Sequence, residues 1–295
     1  MLLGAADKMG PASAMAVTMT AELADCFATK RDGVGFVLDA FESSFPDVEI
    51  GVFGVDGRFR SVQSARDRPY DVAAANWMAS ATLVSRMFPD ALFIDVGSTT
   101  TDVIPIVRGR IVSTGKTDPA RLSTGELIYT GALRTPVCAV VSSVPLSAQV
   151  CRVAAEFFAN TADVHLWLGR IQAEDYTCDT PDGRGRSRAE VGARLARVVC
   201  ADSEMLNPEA ITRIARHVAQ AQTGQIRQAV LQVMGRLGSA CPRVAVLAGT
   251  GSFLAREAAE EAGLTCVDVA DRWGASVSLV APAVAVAYLF AEGRV

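Results

Sequence analysis

The sequence predicts an α/β protein, on two observations. Short apolar runs such as Ala91–Val96 and 243–248 read as buried strands, and stretches with apolar residues at helical spacing, such as Pro208–Leu237, read as amphipathic helices. The two kinds alternate along the chain, which is the pattern of a sheet covered by helices. The chain has 295 residues, half of them hydrophobic and a fifth charged. That is the balance of a globular protein, with length for one large or two ordinary cores.

Taken in order, residues 15–19 are expected as a short buried strand running into a polar segment at 20–26. Val34, Val37, Leu38 and Phe41 then give 33–45 a helical period. Glu49–Phe53 is expected as a strand, and Asp56-Gly57 as a turn before 58–62. A helix over 72–88 would turn Trp77, Leu83, Val84 and Met87 inward. Ala91–Val96 and 103–107 read as strands joined by the polar turn 97–101, and Arg108-Gly109-Arg110 closes a further hairpin into 111–113. Helices are expected over 145–158, 188–206 and Pro208–Leu237. The strand at 243–248 ends in Gly249-Thr250-Gly251, followed by a helix over 253–262 and a strand over 265–269. A closing apolar helix over 277–290 carries Pro282 in its first turn.

Net charge is −4 and no block of Lys or Arg occurs, so neither a nucleic-acid partner nor an anionic membrane surface is expected, although a local basic pocket is compatible. Mean hydropathy is positive, yet the most apolar stretches, 137–144 and 277–290, are short or broken by Pro282. A membrane helix needs roughly 20 residues. Residues 1–16 lack the basic start and continuous apolar core of a signal peptide, so a cytoplasmic location is expected. The seven cysteines, at 26, 138, 151, 178, 200, 241 and 266, include no CxxC pair. They read as reduced thiols, mostly small core residues, and not as a disulfide framework or zinc site. His165 and His217 lie far apart and read as structural or surface residues, which leaves no His-rich metal site.

Chemistry concentrates in Asp95-Val96-Gly97-Ser98-Thr99-Thr100-Thr101-Asp102, set between two apolar strands. Gly97 permits a tight turn whose successive N–H groups face one concavity, an anion nest. The hydroxyls of Ser98, Thr99, Thr100 and Thr101 add donors. Asp95 and Asp102 flank the turn, placed to hold a divalent cation or to serve as a base. The plainer alternative is a Ser/Thr-rich hairpin that caps its own backbone. Gly249-Thr250-Gly251 sits where a strand meets a helix, and either sets the helix N-terminus against a phosphate or an adenine ring or is only a tight turn. Residues 175–186 combine Asp175, Tyr176, Cys178, Asp179, Asp182, Arg184 and Arg186. They suit a mobile lid that carries charge to an anionic substrate, with a solvated surface turn as the alternative. Arg134 offers a guanidinium for a carboxylate or phosphate. Glu22, Asp25, Asn76 and Trp77 are weaker candidates.

These residues together resemble a known family. Phe93-Ile94-Asp95-Val96-Gly97-Ser98-Thr99-Thr100-Thr101-Asp102-Val103-Ile104-Pro105 is similar to the second phosphate motif of the hydantoinase A/oxoprolinase group, within the actin–sugar kinase–Hsp70 ATPase superfamily. Segments 20–25, 134–137, 176–183, 199–202 and 278–282, with Asn76-Trp77, resemble one branch of it: synthases of methanofuran biosynthesis and their relatives in tetrahydromethanopterin-linked one-carbon transfer. The resemblance runs from about residue 15 to the C-terminus. It implies an actin-like (ribonuclease H-like) α/β architecture of two lobes, one over 1–90 and one over 91–295. The second would carry the phosphate turn, a lid-like loop at 175–188 and the closing helix. Superfamily members open on a first phosphate loop of the form Asp-x-Gly-Gly-x-x-x-Lys. Residues 1–14 do not match it, so the first lobe is expected to be N-terminally truncated.

The implied activity is that of a transferase. It joins an (aminomethyl)furan-methanol diphosphate to γ-glutamyltyramine as an aryl ether and releases pyrophosphate. The resemblance then casts Gly97 to Thr101 and Gly249, Thr250 and Gly251 as phosphate-binding, and Asp95 and Asp102 as holders of Mg²⁺. Asp102, Asp179 and Asp182 are equal candidates for the base that activates a phenol of reference pKa near 10. Arg134 would bind the pyrophosphate or the glutamyl carboxylate, and Glu22, Asp25, Asn76, Trp77 and Tyr176 would contact substrate. The expected partners are small molecules, a diphosphate and a phenolic amine, with homo-oligomerisation left open. Two alternatives stand: an ATP-dependent kinase or hydantoinase/oxoprolinase-like hydrolase, with ATP as the less favoured ligand of the same turn, and a non-catalytic truncated pathway protein.

Overall fold

A computed structural model describes residues 12–293. Strands and helices alternate as the sequence predicts, and the chain is mixed α/β. The unmatched first phosphate loop was sought in residues 1–14, of which 1–11 lie outside the described residues.

The chain divides into two compact units. Met1–Ala91, Ile104–Ser123 and Val280–Val295 form the first, and Leu92–Val103 with Thr124–Leu279 form the second. A single cut at residue 90 does not describe this division, because the chain returns to the first unit twice. The last return has a clear packing reason: a Cβ at Gly51 would fall on the ring of Phe290, which lies 4.7 Å from the ring of Phe59.

In the first unit, β1 (Ala14–Val17), β2 (Glu49–Phe53) and β3 (Phe59–Arg60) form a sheet in that order, parallel and then antiparallel. The helix Lys30–Ser44 links β1 to β2. It starts where it does because Thr29 and Asp32 form a reciprocal capping box. Val34 and Leu38, one turn apart, bury one stripe of it against Val52, Ala65 and Val72. The helix expected over 72–88 begins only at Asn76. A 3₁₀ turn at Pro69–Asp71 and a left-handed Ala74 at φ 50° precede it, and a continuous helix cannot pass through such a residue. The closing segment is two helices, Ala275–Leu279 and Ala281–Glu292, and Pro282 opens the second.

The sheet of the second unit contains β4 (Ala91–Val96), β5 (Thr101–Val107), β7 (Leu127–Ile128), β10 (Val244–Ala248) and β11 (Thr265–Asp268), with β6 (Arg110–Ile111) pairing the far end of β5 within the first unit. The order is β11-β10-β4-β5, the first three parallel, and β7 pairs the start of β5. Leu92, Phe93, Ile94 and Val96 are completely buried, as a strand covered on both faces must be. Asp95 interrupts that apolar run. The helix Pro208–Leu237 has the bounds read from sequence: Asn207 accepts from Ala210 N–H, Pro208 opens the first turn, and Gly238 ends it at φ 53°. Its length lets it serve two cores, with Ile211, Ile214 and Val218 in one and Ile226, Val230 and Val233 in the other.

Two expectations in this unit are corrected. Residues 145–158 do not form a helix. They contribute to a hairpin of β8 (Ser143–Leu146) and β9 (Gln149–Arg152), turned at a left-handed Ser147. The helix from Arg188 stops at Arg197, short of 206, and a left-handed Cys200 follows. A helix not foreseen, Thr161–Trp167, starts on a capping box of Asn160 with Asp163. All seven cysteines are free thiols. Among the described residues no helix is long and apolar enough to cross a membrane.

Candidate functional site

The turn after β4 is closed by a hydrogen bond from Gly97 N–H to Thr100 O at 2.9 Å. This corrects the expected role of Gly97, since its N–H is spent inside the turn. Its φ is not among the positive ones, and a Cβ there would meet only Thr100 O, at an ordinary 3.5 Å. The N–H groups of Ser98, Thr99 and Thr100 make no hydrogen bond among the described residues. The Ser98 and Thr99 hydroxyls lie 3.3 Å apart and are half-buried. Thr101 is different. It is fully buried, and its hydroxyl donates to Thr130 O at 2.7 Å, so its role is structural.

The turn is held from behind by residues 130–134. Ala132 N–H donates to Gly97 O, and the N–H groups of Leu133 and Arg134 both reach Ser98 O. A Cβ at Gly131 would stand 2.5 Å from Thr99 N and 2.6 Å from Ser98 C, so this contact requires glycine. Below it, Gln222 Nε2 donates to Thr130 Oγ1 and Gly131 O, which leaves its Oε1 as the acceptor for His165 Nε2–H at 2.9 Å. His165 is thus neutral, with Nδ1 unpartnered. Burial holds its pKa down at about 4.

In front of the turn lies a cavity of about 630 Å³ lined by Ser98, Arg134, Phe157, Asn160, Thr177, Cys178 and Asp179. It brings together four residues named from sequence: Ser98, Arg134, Cys178 and Asp179. Arg134 and Asp179 are exposed. Gly249 and Gly251 sit on the end of β4. Gly249 is at φ 88°, where a Cβ would fall on Asp95 Oδ1, and Gly251 N–H donates to Val96 O at 2.8 Å. The turn 249–251 thus starts the helix Ser252–Glu261 directly beside Asp95. Burial, with the charge of Asp102 added, raises the Asp95 carboxyl to about 7. Among the described residues no group of three or more His, Cys, Asp and Glu could hold a metal, so a cation here would rest on two carboxylates, water and substrate oxygens.

The lid-like loop is anchored. Asp182 pairs with Arg194 at 3.0 Å and Arg197 at 3.2 Å. Against the effect of burial, the Arg184 N–H, which donates to it at 3.1 Å, and these two guanidiniums hold its carboxyl below the usual range. Arg194, completely buried, also pairs with Asp163 at 2.8 Å. Asp182 therefore acts as a structural counter-ion and not as a base. Tyr176 is completely buried, its hydroxyl 3.0 Å from Asn160 Oδ1 and 3.2 Å from Asp163 Oδ1, and burial pushes its pKa well up. It supports the cavity wall from inside and offers no surface to a substrate. Asn160, Phe157 and Thr177 line the cavity without having been picked out from sequence. For Asn160 the signal was the cap preceding Asp163, three residues on.

Glu22, Asp25, Asn76 and Trp77 all belong to the first unit. Glu22 is buried, its carboxyl raised by desolvation, close to the Lys30–Asp118 ion pair. Asp25 is exposed, and Asn76 opens its helix. Trp77 is buried with the Arg121 guanidinium 4.1 Å above its ring, which makes it a core residue.

Sequence and structure comparisons agree with one another. The chain is 37% identical over 276 residues, 93% of its length and 82% of the other, to the (4-{4-[2-(gamma-L-glutamylamino)ethyl]phenoxymethyl}furan-2-yl)methanamine synthase of Methanocaldococcus jannaschii. The synthase of the same name from Methanococcus vannielii is 32% identical over 204 residues, 68% of this chain and 90% of that one. Among solved structures, nucleotide-free acetone carboxylase is similar in fold, with a TM-score of 0.54 at 14% identity over 79% of this chain. The match spans 35% of that carboxylase chain. The profile of the Hydantoinase/oxoprolinase family matches residues 13–292, and the chain belongs to that family.

Proposed function

We propose that this protein is a transferase of methanofuran-type cofactor biosynthesis, tied to tetrahydromethanopterin-linked one-carbon metabolism. It joins a furan-methyl diphosphate to a tyramine-type phenol and releases pyrophosphate. The observation that carries the reading is the one cavity faced by Ser98 of the phosphate turn, the Arg134 guanidinium and the Asp179 carboxylate. The 37% identical relative is named for a phenoxymethyl-furan product.

In the reaction the phenol oxygen attacks the furan methylene and the carbon–oxygen bond to the diphosphate breaks, its electron pair leaving with the phosphate. Charge therefore grows on the diphosphate. The N–H groups of Ser98, Thr99 and Thr100 and the Arg134 guanidinium would bind it there. Asp179, exposed at the cavity wall, would take the phenol proton and pass it to solvent. Asp95 and Asp102 would hold Mg²⁺, which supplies positive charge to the leaving group.

Incubation with the furan diphosphate, a tyramine-derived phenol and Mg²⁺ tests this. Equimolar pyrophosphate and aryl ether are expected, and substrate consumption with no ether would sink the proposal. A second reading, ATP binding for a kinase or hydrolase, is favoured by the seating of Gly249 and Gly251 on β4, which aims a ten-residue helix at the same turn. Saturable micromolar binding of ATP·Mg²⁺ in calorimetry, without ether formation, would support that reading instead.

A further inference from the structure

We infer that the second unit carries another ligand site, built for an organic phosphate with a flat apolar body. Its head pocket, about 510 Å³, is lined by Arg188, Pro208, Glu209, Thr212, Arg213 and Arg216. A second pocket of about 360 Å³ shares Arg188 and Pro208 and is otherwise largely apolar, with Trp167, Gly192, Leu206 and Ile211 in its walls. Neither shares a residue with the cavity of Ser98 and Arg134.

The charge arrangement points to an anion. Arg213 and Arg216 are three apart on one helix and so share a face, where like charges repel. Both are exposed, and neither makes an ion pair or hydrogen bond among the described residues, whereas Arg60, Arg66, Arg194 and Arg197 are all paired with carboxylates. Arg188 is held in place, donating to Trp167 O at 3.2 Å with its guanidinium 3.9 Å above the indole. The Thr212 hydroxyl is occupied between Trp167 Nε1 and Pro208 O, so it positions the wall and is not an open donor. Glu209 is the one carboxylate in the head pocket, and three guanidiniums outweigh it. Guanidinium forks match phosphate oxygens in geometry. The adjoining apolar slot is large enough for an aromatic ring and would give selectivity over inorganic phosphate.

Calorimetry on the full chain with phenyl phosphate, AMP and inorganic phosphate tests this. Both esters are expected to bind at least tenfold more tightly than inorganic phosphate. An Arg213→Ala/Arg216→Ala variant, altered only at exposed side chains, should weaken them tenfold or more. Glu209→Gln should tighten them, and both esters should still bind in an Arg134→Ala background. Tighter AMP binding would assign the site to nucleotides, and tighter phenyl phosphate binding to smaller ring esters. Binding that survives the double variant, that disappears with Arg134→Ala, or that is no stronger than for inorganic phosphate would overturn the inference.

Discussion

His165 Nε2 lies 2.9 Å from Gln222 Oε1, and Gln222 in turn holds Thr130 and Gly131 beneath the turn 97–101. The imidazole is neutral in the folded chain, with a pKa of about 4 against an ordinary 6.5. The unfolded chain therefore binds a proton that the folded one refuses between those values. Stability is complete above pH 6.5 and falls as pH drops towards 4, by on the order of 3 kcal/mol for this group. Thermal melts of His165→Gln should start lower at pH 7.5 and vary less with pH in that window. A variant with the wild-type slope would remove His165 as the cause.

The two glycines of the site should behave oppositely to a reading of the turn from sequence. Gly97→Ala meets only Thr100 O at 3.5 Å, so folding should be unchanged within about 1 kcal/mol. Gly131→Ala forces the Ser98–Thr99 peptide to move, since backbone stands 2.5 Å from the new Cβ. We expect a loss of about 1–3 kcal/mol and at least tenfold weaker pyrophosphate binding. Denaturant melts with calorimetry would separate the two effects.

Asp179 and Asp182 lie in one loop but are predicted to fail differently. Asp182→Ala strips Arg194 and Arg197 of a partner and leaves the buried Arg194 with Asp163 as its one charge partner among the described residues, beside the Gly185 carbonyl. Stability should fall by roughly 1–3 kcal/mol, because a buried charge loses compensation. Asp179→Asn should leave the melting temperature within a degree or two, and should lower ether formation at least a hundredfold at neutral pH, general-base catalysis being worth that much. Equal melting curves for both variants would contradict the anchored loop.

Much of this was legible in sequence where a single local rule decided the outcome. Ala91–Val96 and Pro208–Leu237 matched residue for residue, the first as a run buried on both faces, the second because Asn207, Pro208 and Gly238 mark its ends. The segment 145–158 misled because Ser147 gives no turn signal, although it adopts φ 54° and turns the hairpin. Within the site, Ser98, Arg134 and Asp179, each picked out by residue type, come together at one cavity. The burial of Thr101 and Tyr176 and the capture of Asp182 were not legible, because each depends on partners 12 to 29 residues away that no local spacing specifies.

Asp95 offers the most direct test of the cation. Its carboxyl titrates near 7 in the folded chain and near 3.8 when unfolded, so the folded state binds the extra proton between those values. Its effect on stability is nil below the lower value and becomes a growing cost as pH rises to about 7. Solvent reaches this half-buried group, so the cost is on the order of 2 kcal/mol at pH 8. Asp95→Asn should therefore raise the melting temperature at pH 8 and leave it nearly unchanged at pH 4. Mg²⁺ held by Asp95 would compete with that proton. The wild type should gain stability from millimolar Mg²⁺ at pH 8 and much less at pH 5.5, while Asp95→Asn should gain nothing at either. A magnesium response of the variant equal to that of the wild type would place the cation away from Asp95. The diphosphate would then be held by the turn and Arg134 alone.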